Sequence, residues 1–331
     1  MKSIIQRLTH YEQLSKEEAR NLLVDISEGK YNPGSIAVLL TVFMMRPITI
    51  VELEGFRNAL LELCKKVDLG DIETIDLCGT GGDGKNTFNI STLASFVVAG
   101  AGIPVTKHGN YGVSSVSGSS NVLESLGVKF SSDDDFLKRS LNEAGICFLH
   151  APLFHPTMKN VAPVRKELGL KTFFNMLGPM INPAFPKHQL VGVFDLELMR
   201  MYGYLYQKGD KNYTILHSLS GHDEVSLTAD CKFITNEKTG IFSAPELGIS
   251  KIQEEEIFGG KSLENASRIF RQIISGKGTE AQNNVVAANA GIAISMVKNI
   301  PVKDGFELAK ENLLNGNAEK SLNKLIKLSR N

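Results

Sequence analysis

Four glycines and an aspartate fall within six positions, and two hydroxyl side chains follow closely. The loop reads GTGGDG over residues 79–84, and Ser91 and Thr92 come a few positions later. Glycine-rich loops favour anions because backbone N–H groups can approach them closely, and the N-terminus of a following helix attracts the same charge. A simple tight turn would need only one or two glycines. The pattern therefore indicates a phosphate site, in which Asp83 could hold sugar hydroxyls.

Two better-known nucleotide motifs fit this loop less well. GTGGDG matches G-x-G-x-x-G, but no acidic residue stands about 20 positions later, where a dinucleotide site needs one for the ribose. Residues 79–85 also match G-x-x-x-x-G-K, but Asn86 follows where a Walker loop carries Ser or Thr for magnesium. The sequence thus disfavours a nicotinamide cofactor and a nucleoside triphosphatase.

Other polar groups have both a functional and a purely structural interpretation. Residues 107–110 read KHGN and lead into a serine-rich loop, and Arg165 lies in a helix-like segment over 156–168. Asp223 and Glu224 directly follow an apolar run. An arginine late in a helix is commonly a solvated cation near the negative end of the dipole, and adjacent acids after a strand are commonly a solvated turn. Which interpretation holds for each of these groups depends on the helices and strands that position it.

The elements around the glycine loop form a βαβ pattern. An apolar run of strand length over 74–78 precedes the loop, an apolar helix over 90–101 follows it, and 105–107 resumes as a strand. Ligands of open α/β sheets bind beyond the carboxyl ends of parallel strands. We therefore expect the glycine loop and the KHGN loop to lie at the same edge of one sheet.

The rest of the chain continues the alternation of strands and helices. We expect strands at 128–130, 146–149, 190–194 and 213–219 and a hairpin over 230–242. We expect helices at 132–144, 156–168, 172–177, 196–208, 262–274, 280–297 and one or two within 303–331. The predicted fold class is α/β, with a mostly parallel central sheet flanked by helices.

Residues 1–70 carry helix signals only. Ser15 and Glu18 form a capping box, and apolar residues repeat at helical spacing after it. Such a module must bury its apolar face, either on its own subunit or on a second copy. We predict a small helical domain over 1–70, to which helices near 165–185 could be added, and an α/β catalytic domain over 71–331.

Composition excludes several classes of protein. Lys plus Arg and Asp plus Glu both number 36 among 331 residues, so no net field attracts nucleic acid or an acidic membrane surface. The four cysteines are scattered and predict free thiols in a reducing compartment. No signal-peptide core and no membrane-length apolar run is present. We expect a soluble, cytoplasmic protein.

The polar motifs occur in an order that resembles one enzyme family over nearly the whole chain. The chain is similar to the anthranilate phosphoribosyltransferases of tryptophan biosynthesis in GTGGD, NIST at 89–92, KHGN, Ser114, Ser115, Ser119, Arg165, NMLGPMINP at 175–183, and the 223–224 acids. The resemblance implies a helical domain that forms a homodimer interface. It also implies transfer of the 5-phosphoribosyl group of 5-phosphoribosyl diphosphate to the amine of anthranilate, which gives N-(5-phosphoribosyl)anthranilate and diphosphate.

The same resemblance implies the roles of individual residues. Phosphoribosyl diphosphate would be bound by Gly79, Gly82, Asp83, Thr87, Asn89, Ile90, Ser91, Thr92, Lys107, Ser114, Ser115 and Ser119. Anthranilate would be bound by Gly79, His108, Asn110 and Arg165, with Asn110 orienting the amine and Arg165 facing the carboxylate. Lys107 joins Asn110 and Arg165 as a catalytic residue, and Ser91, Asp223 and Glu224 would hold the cofactor Mg²⁺.

Two other functions share part of the pattern. Pyrimidine nucleoside phosphorylases also carry KHGN followed by serines, and a catalytically silent relative of the fold could bind nucleic acid. The NIST run and the Asp223–Glu224 pair favour the transferase, and the zero net charge disfavours nucleic acid, so we expect small-molecule substrates as partners. The sequence departs from the family at Tyr111-Gly112, since many relatives have arginine directly after Asn110.

Overall fold

The computed structural model describes residues 1–112 and 117–330, which form two compact units. The helical unit comprises Met1–Val67 and Ala151–Phe185, and the α/β unit comprises Asp68–His150 and Pro186–Asn331. The sequence pattern assigned residues 151–164 to the α/β domain, and the structure places them in the helical unit instead. The reason is local: the Lys65 N–H donates to the Phe154 carbonyl at 2.7 Å, and Asn160 donates to the Ile26 carbonyl at 3.1 Å.

Helices account for most of the described elements. The α-helices are α1 (Lys2–Thr9), α2 (Lys16–Ser27), α3 (Pro33–Met45), α4 (Ile50–Leu63), α5 (Ile90–Gly100), α6 (Ser119–Ser125), α7 (Asp134–Ala144), α8 (Ala151–Phe154), α9 (Ala162–Leu168), α10 (Phe174–Leu177), α11 (Leu196–Tyr206), α12 (Leu263–Ile274), α13 (Glu280–Lys298), α14 (Val302–Leu314) and α15 (Asn317–Leu328). Short 3₁₀ helices cover Pro156–Asn160, Gly178–Ile181, Ala244–Leu247 and Glu254–Ile257.

One seven-stranded sheet forms the centre of the α/β unit. Its strands are β1 (Ile75–Gly79), β2 (Val105–Gly109), β3 (Ile146–His150), β4 (His188–Gly192), β5 (Asn212–Ser218), β6 (Cys231–Thr235) and β7 (Thr239–Phe242). Their order is β3-β2-β1-β4-β5-β6-β7, and all neighbours from β3 to β5 are parallel, whereas β6 and β7 pair antiparallel. The predicted mostly parallel sheet and the predicted hairpin are confirmed.

The predicted strand over 128–130 is wrong. These residues pair with no strand of the described sheet: the Val128 N–H donates to the Leu123 carbonyl at 3.0 Å, and the Lys129 N–H to the Ser329 hydroxyl at 3.1 Å. Val128 is nevertheless buried. Its apolar character therefore serves packing in the core, which a short apolar run cannot reveal by itself.

Apolar helices cover the sheet and fix the position of its loops. Almost every residue of α5 is buried, and so is most of α13, which packs against α5 and α14. A helix that is apolar all round belongs in a core rather than at a surface. The successive strands change their direction of progression between β1 and β4, and this is the place where α/β sheets bind ligands.

The helical unit is held by capped helices and one buried ion pair. Ser15 and Thr49 each form a capping box at the start of α2 and α4. Arg46 donates to Glu52 at 2.5 Å, and Glu52, which is fully buried, also accepts the Leu14 N–H at 2.9 Å. Removing one partner of such a pair would leave a buried charge uncompensated.

Two further expectations concern the cysteines and membrane spans. All four cysteines are free thiols, as predicted, and three of them are buried.

In the described part of the chain no single helix is both long and apolar enough to cross a membrane. Helices α13 and α14 together satisfy length and composition, but they meet at a bend of 120°.

Candidate active site

The glycine loop is shaped around the side chain and backbone of Asp223. Gly79 and Gly192 end the neighbouring strands β1 and β4; a Cβ on Gly79 would collide with the Asp223 carboxylate, and one on Gly192 with its carbonyl oxygen. The Gly81 N–H donates to Oδ2 of Asp223 at 2.7 Å, and the Thr80 N–H donates to the Gly192 carbonyl at 3.0 Å. Glycine is therefore required at both strand ends by close approach.

The same loop turns through backbone conformations that favour glycine. Gly81, Gly82 and Gly84 have φ angles of 62°, 77° and 75°. Asp83 lies between them, and its Oδ1 accepts the Lys85 N–H at 3.0 Å. Three positive φ values so close together explain why the loop contains so many glycines, and they place Asp83 beside Asp223.

The carboxylate of Glu224 lies at the N-terminus of α5. Its Oε1 accepts the Ser91 N–H at 2.8 Å, and the Ile90 N–H is engaged by the Phe88 carbonyl at 2.7 Å. The glycine-loop pattern predicted unpaired N–H groups at this helix start for a substrate anion. For Ser91, the structure shows that the chain's own carboxylate takes the N–H, which is the arrangement that the helix dipole favours.

Burial and mutual repulsion disfavour the ionised carboxylates. Burial, followed by the charge of Asp83, raises the pKa of the Asp223 carboxyl well above its usual range. Burial, followed by the charge of Asp223, likewise raises the pKa of the Glu224 carboxyl. A divalent cation between these groups would relieve the repulsion.

A small cavity adjoins the two carboxylates. It is about 10 Å³ in volume, which is room for about one water molecule or ion. Its lining consists of Leu77, Cys78, Ser91, Ala94, Leu190, Gly192, Leu216, Asp223, Glu224 and Asn289. The predicted magnesium ligands Ser91, Asp223 and Glu224 thus line one space.

This donor set fits magnesium rather than a metal held by protein ligands alone. Among residues 1–112 and 117–330, no group of three or more His, Cys, Asp or Glu side chains is placed to hold a metal ion. Magnesium is commonly bound by one or two carboxylates together with substrate phosphate oxygens and waters. The pair of oxygen donors beside a phosphate-type loop matches that habit.

The predicted residues of the KHGN motif lie at the end of the adjacent strand, β2. Lys107 is buried, and its Nζ donates to the Leu77 carbonyl of β1 at 2.5 Å. The His108 N–H donates to the Asp76 carboxylate at 3.2 Å, and Asp76 is fully buried. Lys107 therefore brings a cation next to the strand that carries the glycine loop.

Asn110 is exposed directly after β2 and connects to the start of α6. Its Oδ1 accepts the Tyr111 N–H at 2.8 Å. Its carbonyl oxygen accepts the Ser120 N–H at 3.1 Å and the Ser119 hydroxyl at 3.4 Å. Asn89 donates to the Ser117 carbonyl at 3.2 Å, so this region also contacts the residues before α5.

Tyr111, which stands where many relatives have arginine, contacts His150 and Glu124. Its ring meets the His150 ring edge-on at 4.8 Å between centroids, and its hydroxyl lies 3.4 Å from the Glu124 carboxylate. The phenol thus connects β3 with α6. It supplies no cation at this position, so any role that the arginine has in relatives is either lost here or taken over by another residue.

Arg165 belongs to the helical unit. Its Nη2 donates to Asn175 at 3.2 Å, and its guanidinium lies 5.5 Å from the centre of the Phe174 ring. Burial lowers the pKa of Arg165. Its Nε is buried without a hydrogen-bond partner among the described residues, which form no ion pair with it. A partly desolvated guanidinium with unused donors is suited to a carboxylate.

Comparison with known proteins identifies the relatives of this chain. The glycosyl transferase family helical bundle domain matches residues 2–64, and the glycosyl transferase family a/b domain matches residues 71–319. An anthranilate phosphoribosyltransferase of Flavobacterium psychrophilum is 64% identical over 99% of this chain and 100% of its own length. One of Flavobacterium johnsoniae is 63% identical over the same shares. The chain belongs to the anthranilate phosphoribosyltransferase family.

Solved structures of the family have the same fold. The enzyme of Thermus thermophilus superposes with a TM-score of 0.90 at 31% identity and covers 99% of both chains. The Saccharomyces cerevisiae enzyme in complex with PRPP and Mg has a TM-score of 0.90 at 25% identity, and covers 99% of this chain and 97% of its own. The same yeast enzyme is also known in complex with 4-fluoroanthranilate.

The structure brings only part of the predicted anthranilate phosphoribosyltransferase site together. Gly79, Asp83, Ser91, Asp223 and Glu224 form one cluster, and Lys107, His108, Asn110 and Ser119 follow on the neighbouring strand and helix. Thr87 lies in an antiparallel bridge with Phe258, and Thr92 is buried. Ser114 and Ser115 lie outside the described residues. The binding roles of all these residues stay predictions.

Sequence reasoning did not find the residues that fix the acidic pair. Gly192 contacts the Asp223 backbone, while Ser218 and Asn289 bond to the backbone that follows it. Gly192 could have been suspected, because it ends an apolar strand next to the glycine loop. Asn289 is one of three asparagines among the apolar residues of this helix, and nothing in the sequence separates it from Asn283 and Asn284.

Proposed function

We propose that this chain transfers the 5-phosphoribosyl group from 5-phosphoribosyl diphosphate to the amine of anthranilate. The products are N-(5-phosphoribosyl)anthranilate and diphosphate, the second step of tryptophan biosynthesis from chorismate. The observation that carries the proposal is the placement of Asp223 and Glu224 against the glycine loop and the start of α5. Three relatives that are more than 60% identical over at least 99% of this chain are named anthranilate phosphoribosyltransferase, which supports the proposal.

The reaction exchanges one bond at the anomeric carbon. A C–N bond forms from the amine nitrogen, the C–O bond to diphosphate breaks, diphosphate leaves with the bonding electrons, and the amine loses a proton. Negative charge grows on the leaving group, while the ribose becomes positively charged. The protein must therefore stabilise the leaving diphosphate and position the two substrates.

The residues divide along these two tasks. The glycine loop and Asp83 hold the phosphoribosyl diphosphate, and Lys107 contributes positive charge beside that loop. When bound between Asp223 and Glu224, Mg²⁺ would neutralise charge on the diphosphate oxygens. Asn110 orients the amine, and the Arg165 guanidinium binds the carboxylate of anthranilate. A neutral arylamine is already nucleophilic, so positioning replaces a strong general base.

Assembly and location complete the proposal. The homodimer expected from the resemblance, built on the helical domain, and the cytoplasmic location are proposed together with the activity. The proposed partners are the two small-molecule substrates, with no nucleic acid and no membrane.

The test is a fluorescence assay of the purified chain. Anthranilate fluorescence should fall when 5-phosphoribosyl diphosphate and MgCl₂ are both present, and should stay constant when either is omitted. A variant with Asp223→Asn and Glu224→Gln should be slower by about 100-fold or more, because the charge stabilisation of the leaving group is lost. Phosphorolysis of thymidine or uridine without consumption of anthranilate would instead identify a pyrimidine nucleoside phosphorylase.

A further inference from the structure

The backbone that carries the acidic pair is fixed by a buried asparagine from another element. Asn289, on α13, is 3% exposed. Its Oδ1 accepts the Val225 N–H at 3.1 Å, and its Nδ2 donates to the Val225 carbonyl at 2.9 Å. A third bond, from Nδ2 to the Val285 carbonyl at 2.9 Å, fixes the amide to its own helix. One side chain thus satisfies both polar groups of the residue directly after Glu224.

A serine at the end of β5 fixes the same segment from the other side. The Ser218 hydroxyl donates to the Glu224 carbonyl at 2.6 Å and accepts the Ser226 N–H at 3.2 Å. Ser218 and Ser226 are both fully buried. We call residues 223–226 the acidic segment. Its backbone is therefore bonded to β5 and α13, while its two carboxylates bond to the loop after β1 and to the start of α5.

This arrangement fixes the backbone that carries the two carboxylates. Glu224, Val225 and Ser226 are each hydrogen-bonded to Ser218 or Asn289, so the acidic segment cannot shift without breaking buried hydrogen bonds. A cation needs both oxygens at fixed positions around one space, and Asn289 lines that space together with Asp223 and Glu224. Residues that orient metal ligands commonly change metal affinity when they are mutated.

We propose that Asn289 is a positioning residue for the magnesium carboxylates. It holds the Val225 backbone so that the side chains of Asp223 and Glu224 point into the same small cavity. The inference rests on the proposed function, because it assigns Asn289 to the metal that supports diphosphate departure. It does not require Asn289 to touch substrate or metal.

A purely structural asparagine would behave differently. Val225 is 1% exposed, so removing the amide leaves its N–H and carbonyl buried without these partners, and some stability is lost in either case. Loss of stability alone lowers the amount of folded enzyme and leaves its constants unchanged. Loss of positioning weakens the response to magnesium in the molecules that remain folded.

The experiment compares Asn289→Ala with a matched control on the same helix. Asn283→Ala also removes a buried asparagine from α13, but Asn283 donates to the Gly278 carbonyl at 3.1 Å, with no bond to the acidic segment. For each variant we measure the half-saturating MgCl₂ concentration of turnover and the KM for anthranilate. Mn²⁺ binding in the presence of 5-phosphoribosyl diphosphate, followed by electron paramagnetic resonance, provides a readout that is independent of turnover.

The expected result is selective. Asn289→Ala should raise the half-saturating MgCl₂ concentration and the Mn²⁺ dissociation constant by roughly 10-fold or more, with the anthranilate KM within about 2-fold of wild type. Asn283→Ala should leave all three values near wild type. If Asn289→Ala does not fold, Asn289→Ser and Ser218→Ala test the same point, since each weakens the hold on the acidic segment.

Two results would overturn the inference while the proposed function stands. One is a folded Asn289→Ala enzyme with wild-type metal constants, and the other is an equal rise of every constant in both asparagine variants. A wild-type chain that consumes no anthranilate would instead overturn the proposed function itself, and the inference with it.

Discussion

Arg165 is a cation whose surroundings supply no counter-charge among the described residues. Its guanidinium contacts the Asn175 amide and the Phe174 ring, and its Nε has no acceptor. Desolvated cations are normally paired, so an anionic ligand would complete this environment. Anthranilate carries one carboxylate, which a guanidinium can bind through two parallel hydrogen bonds.

Arg165→Ala should therefore affect one substrate selectively. We expect the KM for anthranilate to rise by about 10-fold or more, because a charge-assisted hydrogen bond is lost, while the KM for phosphoribosyl diphosphate stays within about 2-fold. Lys166→Ala, which removes a neighbouring exposed cation, is the control. Steady-state kinetics with each substrate varied in turn would measure both constants. A rise only in the constant for the diphosphate would assign Arg165 to the other substrate.

For single residues, the sequence indicated which side chains are candidates for function, but it did not indicate which groups those side chains contact. The glycines, Asp83 and the Asp223–Glu224 pair stand out in the sequence because their types are unusual in combination. The hydrogen bond between the Glu224 carboxylate and the Ser91 N–H in the first turn of α5 could not be foreseen, since Ser91 and Glu224 are more than a hundred residues apart in sequence. The contacts of Asn289 were hidden for the same reason.

Among the elements, β1 and β4 must approach the acidic segment more closely than a side chain allows. Gly192 is the last residue of β4, and its Cα faces the Asp223 carbonyl. Any Cβ at this position must push the acidic segment or the strand end away. Overpacking of this kind costs typically 1–3 kcal/mol, so the expected effect is on both stability and geometry.

Gly192→Ala should consequently lower turnover and weaken the magnesium response together with a loss of roughly 1–3 kcal/mol in the free energy of unfolding. Gly203→Ala on α11 is the matched control, because its Cβ would meet only the Ile234 side chain at an ordinary 3.6 Å. That control should keep full activity and gain up to about 1 kcal/mol in stability from its better helix propensity. Urea unfolding and magnesium titration measure both effects. Equal behaviour of the two alanine variants would contradict the close-approach argument.

Elements with strong periodicity or caps were predicted well, and isolated apolar runs were not. Helix α2 begins at its predicted capping box, and the strands of the βαβ pattern fall close to their predicted bounds. Residues 128–130 were predicted as a strand because a short segment with two β-prone residues, Val128 and Phe130, looks the same in sequence whether it pairs or merely packs. Only the three-dimensional position of α15, whose following Ser329 accepts the Lys129 N–H, decides between these outcomes.

For the whole molecule, a buried imidazole couples folding to pH. Burial lowers the pKa of His155 to about 4, and a hydrogen bond with the Ile181 backbone offsets only part of that effect. Above pH 6.5 the imidazole is neutral in both the folded and the unfolded chain. As pH falls below 6.5 the unfolded chain takes up a proton that the folded chain refuses, so stability decreases until pH reaches about 4.

His155→Asn should remove this pH dependence. The wild type should lose about 3 kcal/mol relative to the variant between neutral pH and pH 4. His10→Asn, at an exposed histidine on the surface of the helical unit, should follow the wild-type curve. Urea unfolding at a series of pH values measures the difference. A constant gap between wild type and His155→Asn over this range would rule out the coupling.

The division into units was only partly accessible from sequence. The first segment is marked by its helix signals, but the second, Ala151–Phe185, lies in the middle of the α/β pattern and carries no linker composition. Its membership follows from hydrogen bonds between residues distant in sequence, such as Lys65 N–H to the Phe154 carbonyl and the Asn160 side chain to the Ile26 carbonyl, which no local pattern records.

The glycine loop and the residues after it are held by residues that are distant in sequence, and this has a consequence for folding during synthesis on the ribosome. Thr87 bridges to Phe258, the Gly259 N–H donates to the Asn86 carbonyl at 2.8 Å, and Gly81 depends on Asp223. The loop is synthesised more than a hundred residues before Asp223, Phe258 and Gly259, which hold it. A nascent chain that has not yet reached these residues would therefore carry the motif without its folded conformation, and pairing over such a distance in sequence is the kind that folds slowly.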